Sequence, residues 1–490
     1  MIKRSIGFIV ITAISFALSY AFNYFFLGLP ERDEFDQALM LFFLTCALTC
    51  IFFFLWLDGM KIELKTKTTW LSTDSLRKNA PGIALALLFL LIYLSFGVTL
   101  NNFGVGQVDN LFDADVGSWM RRISSLDVKD FEMRGPHPFT YFIFRPFGLF
   151  LNIFTQDPTF SAILFNAIAG GGCVFLMWLF VKRQFESRMY AFILAALIGL
   201  SASHFFFGSV IETYIFSAFA LLFFLVILQS NNSSIFALAG AGALTFGITL
   251  TNFIQNFFGF IVARPRLREI IRFTGWTIAI SLLLTYLHAV VYPASKLFFL
   301  TPDIENEEKF FLDILRMPDW YIIGRLMYLV RTMLLYSVIA PKVFILTEEV
   351  GSSIPEFRFY KISVGTFHQT SYDGLGQILI MIWTLILVVS GVVFLWNLVR
   401  TRKADLTITF LLCLLFNFFI HINYGQELFL YSPDWAYALI LFTAFGLAPF
   451  AKNRYFQLGM LVFLILLGYN QWQFMHTIVQ SLENYILSIS

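Results

Sequence analysis

The chain has 490 residues, of which 58% are hydrophobic and only 13% charged, with a mean hydropathy of +0.76. Soluble domains carry about 45–50% apolar and about 25% charged residues, so this composition excludes a soluble globular protein. A net charge of +2, with the basic residues confined to short loops, leaves no electrostatic footprint for nucleic acid.

Apolar runs of about 17–25 residues recur along the chain. They predict an all-α polytopic membrane protein of about thirteen transmembrane helices, N-terminus inside and C-terminus outside. The first run, 5–27, follows Lys3 and Arg4. It exceeds the about 7–15 residues of a signal-peptide core and meets no small-x-small site, so it reads as a retained signal anchor. The acid-rich loop 29–37 suits the outer face, and span 38–57 leads to Lys61, Lys65, Lys67, Arg77 and Lys78 inside. Span 82–100 then delivers a long polar stretch, 101–138, to the outside.

The next apolar segment, 139–154, is interrupted by Arg145 and Pro146. Counting it as a crossing would put Lys182, Arg183 and Arg188 outside, so it is expected to lie in the outer interface or re-enter. Spans are expected at 159–181, 189–208, 213–229, 234–250, 253–263 and 273–292, with Arg264, Arg266, Arg268 and Arg272 inside. Residues 320–341 are apolar but carry Arg325 and Arg331, and they read as a second interfacial helix. The final spans are 376–398, 405–423, 435–450 and 455–474. The chain thus divides into N-terminal spans (1–100), a transmembrane module with a first large outer loop (101–292, loop 101–158), a second outer region (293–375) and C-terminal spans (376–490). The four cysteines fall inside apolar runs and read as small hydrophobes. None of the six histidines has zinc-ligand spacing, so no catalytic zinc is expected. The sequence has no short repeat and no inverted pair of hydropathy halves.

Ionisable residues gather at the outer ends of the spans, where a carboxylate is costly unless it faces a polar cavity. Asp109, Asp113 and Asp115 come first. An Asp-x-Asp pair can share a divalent cation, or one member can act as general base toward a hydroxyl; alternatively it caps the amphipathic run 116–123. Arg134, His137 and Arg145 suit a phosphate, with snorkelling the plainer reading of Arg145. Glu212 stands at the joint between two spans, as a cavity carboxylate or a hairpin-turn residue. Asn252 with Gln255, and the loop carrying His421, Glu427 and Asp434, either line the same cavity or serve as turn and aromatic-belt residues.

Over about 109–292 the chain resembles the GT-C superfamily of membrane glycosyltransferases, nearest to its aminoarabinose transferase and protein O-mannosyltransferase branch. The resemblance is carried by an ordered set: Asp109/Asp113/Asp115, His137-Pro138-Phe139-Thr140, Lys182-Arg183-Gln184-Phe185, Gly208–Thr213, then Thr251-Asn252 and Arg264–Arg268. His137 stands where the family often has Lys, and Glu212 where it often has Asp. The resemblance implies sugar transfer at the outer leaflet, from a polyprenyl-phosphate-linked donor to a lipid, glycan or protein acceptor. It implies an outer-loop aspartate as base in an inverting displacement, with His137 and an arginine stabilising the leaving phosphate. It leaves open a divalent cation, Mg or Mn, held by Asp113 and Asp115. Short loops and the absence of sorting signals point to a bacterial inner membrane, with the site facing the periplasm. The competing reading is a transporter or flippase of lipid-linked saccharides, which predicts charged residues within the spans; these are almost absent here.

Overall fold

The computed structural model describes residues 2–24, 34–57, 73–101, 110–125, 136–230, 233–292, 308–346, 354–401 and 406–489. Its first helices are α1 (Ile2–Phe22), α2 (Glu34–Leu57), α3 (Thr73–Asn101), α4 (Val116–Ser124), α5 (Thr140–Thr155) and α6 (Pro158–Phe185). Next come α7 (Arg188–Leu200), α8 (Ala202–Phe207), α9 (Thr213–Leu228), α10 (Ile235–Ile248), α11 (Phe253–Ala263) and α12 (Leu267–Val291). The last are α13 (Asp319–Arg331), α14 (Gly374–Thr401), α15 (Leu406–Asn423), α16 (Pro433–Gly446) and α17 (Arg454–Ile489). Eight of them (α1, α2, α3, α6, α12, α14, α15 and α17) are long and apolar enough to cross a membrane, and the chain is a helical membrane protein.

Local chemistry sets the boundaries. Asp157 caps α6, accepting the amides of Thr159 (2.9 Å) and Phe160 (3.1 Å), with Pro158 in the first turn where its missing N–H costs nothing. Ser187 and Ser234 cap α7 and α10 in the same way. The expected span 189–208 is broken at Ser201, and the freed amides of Ala202 and Ser203 donate to the carbonyls of Val338 and Ser337, each at 3.0 Å. The break therefore anchors the second polar region to the bundle.

Helices α3 and α6 pack closely because α6 carries three consecutive glycines. A Cβ at Gly171 would lie 2.8 Å from the Ala86 carbonyl oxygen, and one at Gly170 2.8 Å from the Tyr93 ring. Small residues let helices approach where lipid offers no hydrophobic drive. Helices α9 and α16 lie at the centre and are buried along almost their whole length.

Helix α5 covers the expected segment 139–154. At 16 residues it is about 24 Å long, short of the about 30 Å hydrocarbon core, and it is not one of the eight candidate spans. It packs on α4 and α6 and leaves Phe147, Phe150, Ile153 and Phe154 exposed. Helix α13 similarly covers the start of 320–341 and continues into a π-helical turn, Thr332–Tyr336. The second polar region also contains strands, which an all-α expectation omitted. Strand β1 (Phe344–Leu346) pairs with β2 (Glu356–Arg358), and β3 (Tyr360–Ser363) with β4 (Thr366–Gln369), both antiparallel. Strands of three or four residues are too short for an alternating pattern to register in the sequence.

Candidate active site

A cavity of about 460 Å³ lies at the end of the bundle where the polar loops meet. Its walls come from the 113–122 turn and helix, the 136–141 entry to α5, Tyr214 on α9, Lys309-Phe310, and the 424–431 loop.

The turn that presents the aspartates is unusual. Phe112 (φ 56°) and Asp113 (φ 57°) are consecutive left-handed residues, a conformation that costs free energy for side chains with a Cβ. Burial holds it: the Phe112 ring is fully buried against Phe359 (4.7 Å), Phe206 (5.0 Å) and Phe429 (5.0 Å). The Phe112 amide donates to the Phe357 carbonyl (3.2 Å), and the Phe357 amide returns to Asn110 (2.8 Å). On the other flank the Asp115 amide donates to Glu212 Oε2 at 2.9 Å.

The two aspartates so presented have different surroundings. Asp113 Oδ1 is 2.6 Å from Arg358 Nη2, whose guanidinium also engages Glu356 and Tyr360. Burial opposes the Arg358 charge, but Asp113, then Tyr360 and Glu356, outweigh it and raise its pKa. Asp115 opens onto the cavity. Its carboxyl is raised by partial desolvation, against the opposing pull of Arg122 and Lys309. It stands at the N-cap position of α4 without making a side-chain cap bond, so capping is not its role here.

Glu212 was expected to face substrate. It lies instead behind the aspartate turn, 3% exposed and outside the cavity lining. Its Oε1 accepts the Thr213 amide (2.7 Å) and hydroxyl (3.0 Å), leaving Oε2 for Asp115. Burial, then the nearby Asp115, raises its pKa.

His137, expected from the sequence to stabilise a leaving phosphate, borders the cavity. Its Nδ1 is 2.6 Å from the Ile248 carbonyl, which can only accept, so Nδ1 carries the proton and Nε2 the lone pair. Burial, reinforced by Arg122 and opposed by the Ile248 carbonyl, lowers its pKa to about 4, leaving it neutral near pH 7. The cations bordering the cavity are Arg122, stacked 4.9 Å over Trp119, and Lys309, 4.8 Å over Phe310.

Glu427, read from the sequence as either a cavity or an aromatic-belt residue, lines the cavity. Its Oε1 accepts the Tyr328 hydroxyl and the Phe429 amide (3.0 Å). Burial pushes its pKa up from the ordinary 4.5 to about 7. A carboxyl raised in this way stabilises the fold while protonated, fully below pH 4.5, and that contribution is lost as pH rises through about 7. The Glu427 contribution to the unfolding midpoint is therefore expected to fall between about pH 5 and 7, against the opposite slope from His137, whose pKa is lowered to about 4. Glu427→Gln, which keeps the shape without the charge, should flatten that fall; an unaltered slope in the variant would assign it to other groups.

Other expected site residues stand apart from the cavity lining. His421 is buried behind the wall, its ring 4.5 Å from that of Tyr431. Asn252 is buried and accepts from Gln255 at 2.8 Å. Arg145 donates to the Ser125 carbonyl at 2.9 Å, bracing the end of α4. Asp109 and Arg134 lie outside the described residues.

Among the described residues no group of three or more His, Cys, Asp or Glu side chains is placed to hold a metal ion. Asp113, half of the Asp-x-Asp pair, is turned to Arg358, so the described donor set does not fit a divalent cation. The cysteines are free and lie in helices.

The sequence reading gave no site role to Arg122, Lys309, Arg358 or Arg325. Arg122 carried a signal, lying two helical turns beyond Asp115 on a short amphipathic helix. Arg358 carried none, being 245 residues from its partner. Arg325, 1% exposed, donates to the carbonyls of Gly425 (2.6 Å), His421 (2.9 Å), Gln426 (2.9 Å) and Tyr424 (3.1 Å). It thereby pins the loop that forms one cavity wall. No protein-family model matches the sequence, and no curated protein matches it.

Proposed function

We propose that the chain is a GT-C-type integral membrane glycosyltransferase of the bacterial inner membrane. It moves a sugar from a polyprenyl-phosphate donor to a lipid, glycan or protein acceptor at the outer face. The observation that carries this reading is the pairing, along one aromatic-walled cavity, of a cavity-facing carboxylate (Asp115) with two cations (Arg122, Lys309). A base and a phosphate-neutralising pair are the two things that glycosyl transfer from a lipid phosphate needs.

In the mechanism, Asp115 takes the proton of the acceptor hydroxyl as its oxygen attacks the anomeric carbon. The bond from that carbon to the phosphate oxygen breaks, and its electron pair leaves with the lipid phosphate, beside Arg122 and Lys309. A single displacement of this kind inverts the anomeric centre. His137, neutral, contributes a hydrogen-bond acceptor and not a charge. Asp113 and Arg358 hold the turn.

Sidedness supports the outer face. Helix α6 begins beside α4 at the cavity end, where Thr159 bonds Met120. It ends at Lys182 and Arg183, with Lys182 donating to the Lys78 carbonyl (2.9 Å) and the Asn79 side chain (2.8 Å). A basic cluster opposite the cavity is what the positive-inside rule places in the cytoplasm. In this reading the shorter apolar helices α7, α9, α10, α11 and α16, walled by long neighbours, join the eight long ones to complete thirteen passes. Helices α5 and α13 lie at the interface.

The test reconstitutes the protein in vesicles with radiolabelled decaprenyl-phosphate sugars and candidate acceptors. Sugar transfer with release of decaprenyl phosphate is the expected result. Arg122→Gln combined with Lys309→Gln should lower kcat/KM by about 10²-fold or more, as loss of charge stabilisation at a leaving group does. Movement of labelled donor between leaflets without any transfer would overturn the reading in favour of a flippase.

A further inference from the structure

We propose that Glu427 selects the sugar, its carboxylate taking a hydrogen bond from one hydroxyl or ammonium group of the glycosyl unit held in the cavity. The proposal rests on the transferase reading and adds to it a residue that discriminates among donors. Glu427 borders the cavity and yet is 1% exposed. Its Oε1 is committed to Tyr328 and Phe429, whereas its buried Oε2 has no hydrogen-bond partner among the described residues. Leaving a buried carboxylate oxygen unpaired costs free energy, and a donor arriving with a ligand removes that cost.

The position of this oxygen is set in advance. Glu427 follows Gly425, whose φ of +79° and the nearby Tyr431 ring admit no side chain, and the loop is tied to Arg325 through four carbonyls. A carboxylate held this firmly discriminates by geometry rather than adapting to any donor. Tyr214, Tyr424 and Tyr431 line the same cavity, and aromatic rings pack against the C–H side of a sugar, which leaves its hydroxyl groups for polar partners. Arg122 and Lys309 border the cavity and act on Asp115, whereas Glu427 is acted on by Asp113, which also borders it, and by Arg358 behind Asp113. The phosphate belongs beside Arg122 and Lys309, and the distal sugar positions beside Glu427.

The test uses the full-length protein in detergent micelles, titrated by tryptophan fluorescence. The probes are farnesyl phosphate and farnesyl phosphate carrying glucose, galactose, mannose or arabinose, each also as single-deoxy and amino-deoxy derivatives. Glu427→Gln is expected to bind bare farnesyl phosphate as the wild type does, and to lose about tenfold affinity for the best glycosylated probe. One deoxy derivative should bind wild type and variant equally, identifying the position read. Preference for hydroxyl or amine there identifies the donor. If the variant matched the wild type on every glycosylated probe, sugar selection by Glu427 would be refuted while the transferase reading stood. If the wild type bound no phosphate probe more tightly than farnesol, both would fall. Should the variant fail to fold, the wild-type deoxy series decides alone: no single position costing more than about threefold refutes the proposal.

Discussion

Asp115→Asn is expected to lower turnover by about 10²–10⁴-fold, the range that a positioned general base contributes. The substitution spares the fold, because the bond that fixes this residue runs from its backbone amide to Glu212 and not from its side chain. Thermal unfolding should therefore stay within about 0.5 kcal/mol of the wild type. The pH profile gives an independent sign. The base works only when deprotonated and its pKa is raised above 3.8, so kcat/KM should rise along an acidic limb displaced to higher pH, and that limb should vanish in the variant. Asp113→Asn is expected to behave otherwise. It breaks the ion pair with Arg358, loosens the left-handed turn, and changes stability and activity together. A variant series in which Asp113→Asn lost activity at unchanged stability, while Asp115→Asn kept it, would exchange the two roles. Asp109→Asn belongs in the series as the third acidic candidate of the loop.

Arg325→Met should lower stability by about 3–5 kcal/mol, seen as an earlier thermal transition in detergent. Four backbone carbonyls at and beyond the end of α15 lose their donor, and the cation that complements the helix dipole there is gone. The same loop lines the cavity through Tyr424, Gln426, Glu427, Leu430 and Tyr431, so substrate affinity should fall as well. Arg325→Lys should recover little, since an ammonium cannot spread its donors over four carbonyls as a planar guanidinium does. A transition unmoved by Arg325→Met would mean that Gly425 and the packing of Tyr431 suffice to hold the loop.

How far the sequence reached depends on the range of the interaction concerned. The interruption of 139–154 by Arg145 and Pro146 was legible in the sequence, and α5, which carries both, is not among the eight helices long and apolar enough to cross. The aspartates of the 109–115 stretch were recognisable as site candidates because carboxylates at the end of a span demand an explanation. Their division of labour was not recognisable. Both carboxylates border the cavity, but Arg358, 245 residues away, pairs with Asp113 and not with Asp115, and the proposed roles rest on that difference. His137 shows the same limit. Its type and place suggested a partner for phosphate, but only the carbonyl of Ile248 and the surrounding burial decide that it meets one without a charge.

The sequence by itself therefore determined the helical membrane class, most helix positions, and the end of the bundle where polar groups collect, since hydropathy and charge act over one or a few turns of chain. Only the tertiary structure decided which polar groups face the cavity. It set Glu212 behind the turn and Glu427 at the wall, and it brought Arg122 and Lys309 to Asp115. Those outcomes depend on desolvation and on partners remote in sequence, quantities that exist only once the chain has packed.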